Sequence, residues 1–216
     1  MIELWSWPTP SGQKVHILLE ETGLPYKLMP MDADAAPDKR ILAINDPTAL
    51  HGPMRLSEPG AILFYLAEKA GNFIPTEPAL RYLCLQWTMF QISGLGPAFQ
   101  HYRYFADAAP EKSLAAITRF TKILQRLAAV LEKRLAEDDV LAGTYSIADM
   151  AVYPSVAAAA AQAINLDAYP ATKRWADKMA ARPAVARGMA LLQTPQDFAH
   201  FPSPERYARR PENAVS

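Results

Sequence analysis

Two rhythms divide the chain at about residue 75. Before it, short alternating runs are broken by Pro and Gly; beyond it, apolar residues recur every three or four positions. Residues 2–7 alternate weakly and stop at Pro8, which predicts a short strand. Val15, Leu18, Leu19 and Thr22 fall at helical spacing up to Gly23, a C-terminal stop, and Ser11 stands where an N-cap belongs. Residues 26–31 alternate as a second strand, followed by an acidic, Ala/Pro-rich loop over 32–39. Residues 40–44 read as a short helix, residues 46–56 as a hairpin bending at His51-Gly52-Pro53, and Gly60 opens a helix through Leu66 to Gly71. The order is β-α-β-α-β-β-α, and the right-handed crossover rule makes the first strand pair parallel.

The remainder is helical. Leu80, Leu83, Trp87 and Phe90 share one face until Gly94-Leu95-Gly96-Pro97 interrupts it, and Pro97 predicts a kink because it removes a backbone donor. Leu114, Ile117, Phe120, Leu124, Leu127, Leu131 and Leu135 mark a long amphipathic helix. Ser146-Ile147-Ala148-Asp149 has the form of a capping box, flanked by Tyr145 and Met150 as a hydrophobic staple, and opens an Ala-rich helix to about residue 164. Pro170 and Pro183 each start a further helix. The expected division is an α/β domain over 1–75, an all-helical domain over 79–193 and an irregular, proline-containing tail over 194–216.

The 22 basic and 22 acidic residues cancel, so the basic excess that a nucleic-acid groove or an anionic membrane surface requires is missing. No apolar run approaches a membrane span, and the start lacks a basic, cleavable leader. With a single cysteine, Cys84, an internal disulfide or a CxxC pair is impossible. Cys84 sits on an apolar helical face and reads as buried filler, and the expected compartment is the reducing cytoplasm. The four histidines lack metal-ligand spacing, so no metal is expected, and His16 with Glu20 reads as a surface i,i+4 pair.

Chemistry is sought in the opening turn, Pro8-Thr9-Pro10-Ser11-Gly12-Gln13-Lys14. That turn, Leu18-Leu19-Glu20-Glu21-Thr22-Gly23-Leu24-Pro25-Tyr26, and the run from Glu58 to Lys69 together resemble the glutathione-transferase superfamily. Gln91-Ile92-Ser93-Gly94-Leu95-Gly96-Pro97, Tyr145–Asp149 and Tyr169-Pro170 make the chain most similar to its bacterial nu-class transferases and disulfide-bond reductases. The resemblance spans residues 1 to about 193. It implies an α+β fold, a thioredoxin-like N-terminal domain followed by an all-helical C-terminal domain, assembled as a symmetric homodimer. It implies glutathione as cosubstrate on the first domain, and a small apolar electrophile or a disulfide toward the second. Thr9, helped by Ser11 in the place of a family asparagine, would face the glutathione sulfur. A thiol at a helix N-terminus ionises more readily, which gives this placement its chemical sense.

The resemblance assigns further ligand contacts to Asp46, Pro47, Glu58, Gln100 and Arg119. Pro47 takes the place of a cis-proline at the start of the third strand, and Asp46 is the residue before it. Glu58 would meet the γ-glutamyl end. Gln100, with His101, Tyr102, Tyr104 and Phe105, would line the co-substrate pocket, and Arg119 would reach a glutathione carboxylate. Three positions depart from the family pattern. Pro59 replaces a serine and offers neither hydroxyl nor N–H; Ala36 falls near the place of a glutamine; Asp46 puts a negative charge where an anionic tripeptide should lie. Two functions therefore stand side by side: a glutathione-dependent transferase or disulfide-bond reductase, and a non-catalytic binding protein with a degenerate glutathione site.

Overall fold

A computed structural model describes residues 1–29 and 42–193. A four-stranded sheet is built from β1 (Ile2–Trp5), β2 (Tyr26–Met29), β3 (Ala43–Asp46) and β4 (Met54–Ser57) in the order β2-β1-β3-β4. β1 and β2 are parallel and joined through α1 (Pro10–Thr22), while β3 runs antiparallel to both β1 and β4. α2 (Pro59–Ala70) closes this part. The helical part comprises α3 (Pro78–Phe90), α4 (Gly96–Arg103), α5 (Leu114–Glu137), α6 (Ile147–Ala160), α7 (Pro170–Ala180) and α8 (Pro183–Ala190). This is the expected thioredoxin-like domain followed by an all-helical one.

α1 is the element that joins the two parts. Its residues from Gly12 to Leu19 are all buried, because α2, α6 and α8 all pack against it. Between α3 and α4 the kink expected from Pro97 takes the form of a π-helical turn, Gln91–Leu95, in which Gly96 N donates to Gln91 O, five residues back. A second π turn, Tyr104–Ala108, follows α4. The capping box is present at α6: Ser146 N donates to Asp149 Oδ2 at 3.1 Å, and Ser146 Oγ accepts from Ala148 N at 3.3 Å. Asp149 is fully buried and its other oxygen accepts from Leu141 N and Trp175 Nε1, both at 3.0 Å, so one carboxylate ties the α6 start to α7. Cys84 is buried as expected, and burial pushes its thiol pKa up.

Four expectations are corrected. Ala43 and Ile44 lie in β3 and not in a helix, since both side chains are buried in a sheet they help to pair; residues 40 and 41 lie outside the described residues, as do Ala36 and the tail from 194. Pro47 follows β3 instead of leading into it. The residue that enters β3 is Leu42, and no peptide bond among the described residues is cis. The N-cap of α1 is Thr9, with Pro10 in the first turn, where a missing N–H costs nothing; Ser11 is one turn residue further in. His16 is not a surface residue: it is fully buried, its Nε2 2.7 Å from Ser6 Oγ, and Glu20 pairs instead with Arg187 and Tyr26.

Candidate active site

A crevice of about 1000 Å³ opens where the N-terminus of α1 meets the first π turn and α4. Thr9, Pro10, Ser11 and Lys14 bring α1 to it. Thr9 sits in extended backbone between two prolines, and its Oγ1 accepts weakly from Gly12 N at 3.4 Å. An accepting hydroxyl keeps its own hydrogen free to donate. Pro10 brings no N–H and Gly12 N is given to Thr9 Oγ1, so it is chiefly the helix dipole that favours an anion at this end.

The inner wall carries a chain of polar groups that sequence reasoning missed. Lys14 Nζ donates to Gln91 Oε1 at 2.5 Å, and Gln91 Nε2 donates to Ser155 Oγ at 3.0 Å. All three side chains line the crevice and all three residues are buried. Burial pulls the Lys14 ammonium down to about 8. A signal existed: Lys14 lies three positions after Ser11 and on the helical face of Val15 and Leu18, a charged residue on an apolar stripe.

At the mouth, Glu58 and Pro59 mark the start of α2. Glu58 is exposed, makes no side-chain cap to its own helix, and holds a left-handed φ of 69°. A non-glycine residue pays for that backbone, and such strain collects at binding sites. The far wall presents Gln100, Arg103, Tyr104 and Asp107; the buried Arg103 Nε has no hydrogen-bond partner.

Of the predicted residues, Thr9, Ser11, Glu58 and Gln100 thus converge on one crevice, whereas Asp46, Pro47 and Arg119 do not line it. Asp46 instead turns inward. Its fully buried side chain accepts from Tyr65 Oη at 2.6 Å, Thr48 N at 2.8 Å and Thr48 Oγ1 at 2.7 Å, and pairs with Lys69 Nζ at 2.8 Å. Burial pushes the carboxyl pKa up, but the bonds from Lys69, Tyr65 and Thr48 outweigh it and hold the group well below the usual carboxylate range. Its charge is therefore met by Lys69 and Tyr65 of α2 and by Thr48 of the hairpin, and does not confront a ligand in the crevice. Arg119 is exposed on α5. Tyr104 lines the crevice, but His101 and Phe105 stack on Phe120, and Tyr102 Oη donates to Gln162 O at 2.8 Å.

A two-part fold with such a crevice at the α1 N-terminus is that of the glutathione transferases. Residues 1–68 match the family described as glutathione S-transferase, N-terminal domain, and residues 97–183 match glutathione S-transferase, C-terminal domain. The chain belongs to this family and is a glutathione-transferase-like enzyme. It is 42% identical over 207 residues to the disulfide-bond oxidoreductase YfcG of Escherichia coli K12, covering 89% of this chain and 95% of the relative. Among solved structures, it resembles a glutathione transferase family member from Pseudomonas fluorescens Pf-5 with two glutathione bound. The TM-score is 0.81 and the identity 38%, covering 87% of this chain and 92% of the other. A glutathione transferase from Pseudomonas putida, with one glutathione disulfide bound per subunit, matches at TM-score 0.81 and 36% identity, covering 87% and 90%. Among the described residues no group of three or more His, Cys, Asp or Glu could hold a metal ion, and no helix is long and apolar enough to cross a membrane.

Proposed function

We propose that this enzyme reduces small disulfides with glutathione, using only sulfurs carried by its substrates. The observation that carries the reading is the crevice itself: two hydroxyls at the N-terminus of α1, about 1000 Å³ of space, and no cysteine in its wall. Cys84, the chain's one thiol, is buried elsewhere. The solved relatives that hold two glutathione molecules or glutathione disulfide, and the relation to a disulfide-bond oxidoreductase, support the same reading.

In this reading Thr9 donates a hydrogen bond to the glutathione sulfur and Ser11 supplies a second hydroxyl. The sulfur anion attacks one sulfur of the disulfide, a new S–S bond forms, and the other sulfur leaves as a thiolate that takes a proton from water. A second glutathione thiolate then attacks the glutathione side of the mixed disulfide and releases the second thiol. The balance is one disulfide and two glutathiones consumed, two thiols and one glutathione disulfide formed. Glu58 accepts from the α-amino group, and Arg103 meets a carboxylate on the far wall. The active molecule is a homodimer working in the cytoplasm.

The alternative, a scaffold that has lost glutathione, is favoured by Pro59, which brings no donor to the α2 start. A glutathione-coupled assay on a small disulfide, alongside thermal-shift titration with glutathione and its disulfide, separates the two. The enzyme reading expects saturable stabilisation that Thr9→Ala retains while turnover falls by at least about tenfold. No stabilisation by either compound at millimolar concentration overturns it.

A further inference from the structure

We infer that the ammonium of Lys14 is the charge that keeps the bound thiol ionised, acting from the inner wall of the crevice; the inference rests on the glutathione reading above. Lys14 stands one helical turn beyond Ser11. Helical side chains lean toward the N-terminus, so its stem runs back toward the turn that carries Thr9 and Ser11. The residue is 2% exposed and lines the crevice. Its nitrogen has a single hydrogen bond among the described residues, to Gln91 Oε1, and no carboxylate pairs with it. Ser155 fixes the amide of Gln91 so that the oxygen faces the ammonium. Two N–H groups of a buried cation are thus left for a guest.

A buried, unpaired ammonium is expensive, and an apolar side chain of similar length would fill the same space without that cost. The cost is recovered when an anion arrives. The anion that the α1 terminus invites is the thiolate: the S–H bond breaks, its electron pair stays on sulfur, and the proton passes to water. Hydroxyl donors from Thr9 and Ser11 orient the sulfur; Lys14 supplies the net charge that they lack.

Other titratable groups are placed differently. Glu58, Arg103, Tyr104 and Asp107 share the crevice, and none forms an ion pair with Lys14. Of the helices packed against α1, α8 and the residue that caps it bring Arg187 and Arg182, committed to Glu20 and Glu21 of α1. α6 brings Asp149, held in its capping box, and Tyr153; α2 brings Tyr65 and Lys69, both engaged with Asp46. His16 bonds to Ser6.

The full chain, saturated with glutathione, is titrated by the ultraviolet absorbance of the thiolate, and turnover is followed across the same pH range. Lys14→Met is expected to move the midpoint of the bound thiol up by about one pH unit, while Lys14→Arg keeps it near that of the unsubstituted chain. The kcat/KM of the unsubstituted chain, which reports the free enzyme, should fall again above about pH 8 as Lys14 loses its proton, and Lys14→Met should lack that descending limb. Gln91→Glu, which pairs the ammonium in place, is expected to raise the midpoint as Lys14→Met does. A Lys14→Met or Gln91→Glu protein that binds glutathione and titrates like the unsubstituted chain overturns the inference alone. An unsubstituted chain that binds no glutathione overturns the functional reading and this inference with it.

Discussion

Gly188 of α8 lies directly against Ile17 of α1: a methyl group at Gly188 would stand 2.6 Å from the Ile17 amide nitrogen and 2.7 Å from its Cα. Both neighbours are backbone atoms in the buried stretch of α1, so neither can turn aside. Gly188→Ala must push α8 away from the element that carries Thr9, Ser11 and Lys14. The expected loss is about 1–3 kcal/mol, the usual range for overpacking, read as a lower midpoint in urea unfolding. Gly94→Ala, where the added methyl meets only the Leu127 side chain at 3.7 Å, should leave the midpoint unchanged or slightly raised.

The Asp149 carboxylate accepts from three separate donors, the Ser146 and Leu141 amides and the Trp175 indole. Asp149→Ala leaves all three buried and unmet, and each is worth about 1–3 kcal/mol. A loss of at least about 3 kcal/mol is expected, together with loss of the near-ultraviolet signal of Trp175 at lower denaturant.

This keystone was legible from the spacing Ser146-x-x-Asp149, as α5 was from its apolar stripe, because both signals are local. β3 was not. Leu42, Ala43 and Ile44 do not alternate, since Ala43 and Ile44 are both buried once helices and sheet neighbours close over them, and a short apolar run fits helix and strand alike. The N-cap of α1 lies two residues before Ser11: Thr9 and Ser11 are both good caps, and Pro10, which fits only inside the first turn, decides for Thr9. Most of the crevice wall comes from α4, the two π turns that flank it and Ser155 of α6, brought to α1 by packing across more than seventy residues of sequence. No spacing rule announces Gln91 or Ser155 beside Lys14.

Acid should weaken the fold in two separable stages. Burial pulls His16 to about 4, against smaller raising effects from the Gly188 backbone and Glu20. Its folded pKa lies below its unfolded value, so the unfolded chain binds the extra proton and stability falls as pH drops from about 6.5 toward 4. Asp46 is also held low in the fold. Its contribution is fully present above about pH 4 and is lost as pH falls further. Unfolding free energies measured from pH 7 to 3 should show His16→Gln flattening the upper stage and Asp46→Asn the lower. A single decline untouched by either substitution contradicts the assignment.

Lys14 has the opposite relation between stability and service. Its folded pKa is about 8, well under that of a free lysine, so the fold is penalised increasingly as pH falls from 10.5 to 8 and fully below that. Lys14→Met should therefore stabilise the protein at pH 7 by on the order of 2–3 kcal/mol while impairing turnover. Unfolding at pH 7 and again near pH 10 checks it: the gain should shrink at the higher pH, where the native lysine is already uncharged.

Pro59 offers a test in which function is gained. It occupies the first turn of α2, lines the crevice and follows Glu58, so it stands where a carboxylate approaching the helix N-terminus would seek donors. Proline supplies neither an N–H nor a hydroxyl there, whereas serine supplies both and is tolerated at a helix start. One added charge-assisted hydrogen bond is worth about 1.5–3 kcal/mol before the cost of ordering the side chain. Pro59→Ser is accordingly expected to tighten glutathione binding by about tenfold, measured by calorimetric titration, with the unfolding midpoint changed by less than about 1 kcal/mol in free energy. The gain should vanish for a glutathione analogue that lacks the γ-glutamyl carboxylate. An equal gain for that analogue would mean that the new serine acts by loosening the α2 start, and the γ-glutamyl end would have to be sought at Arg103 on the far wall instead.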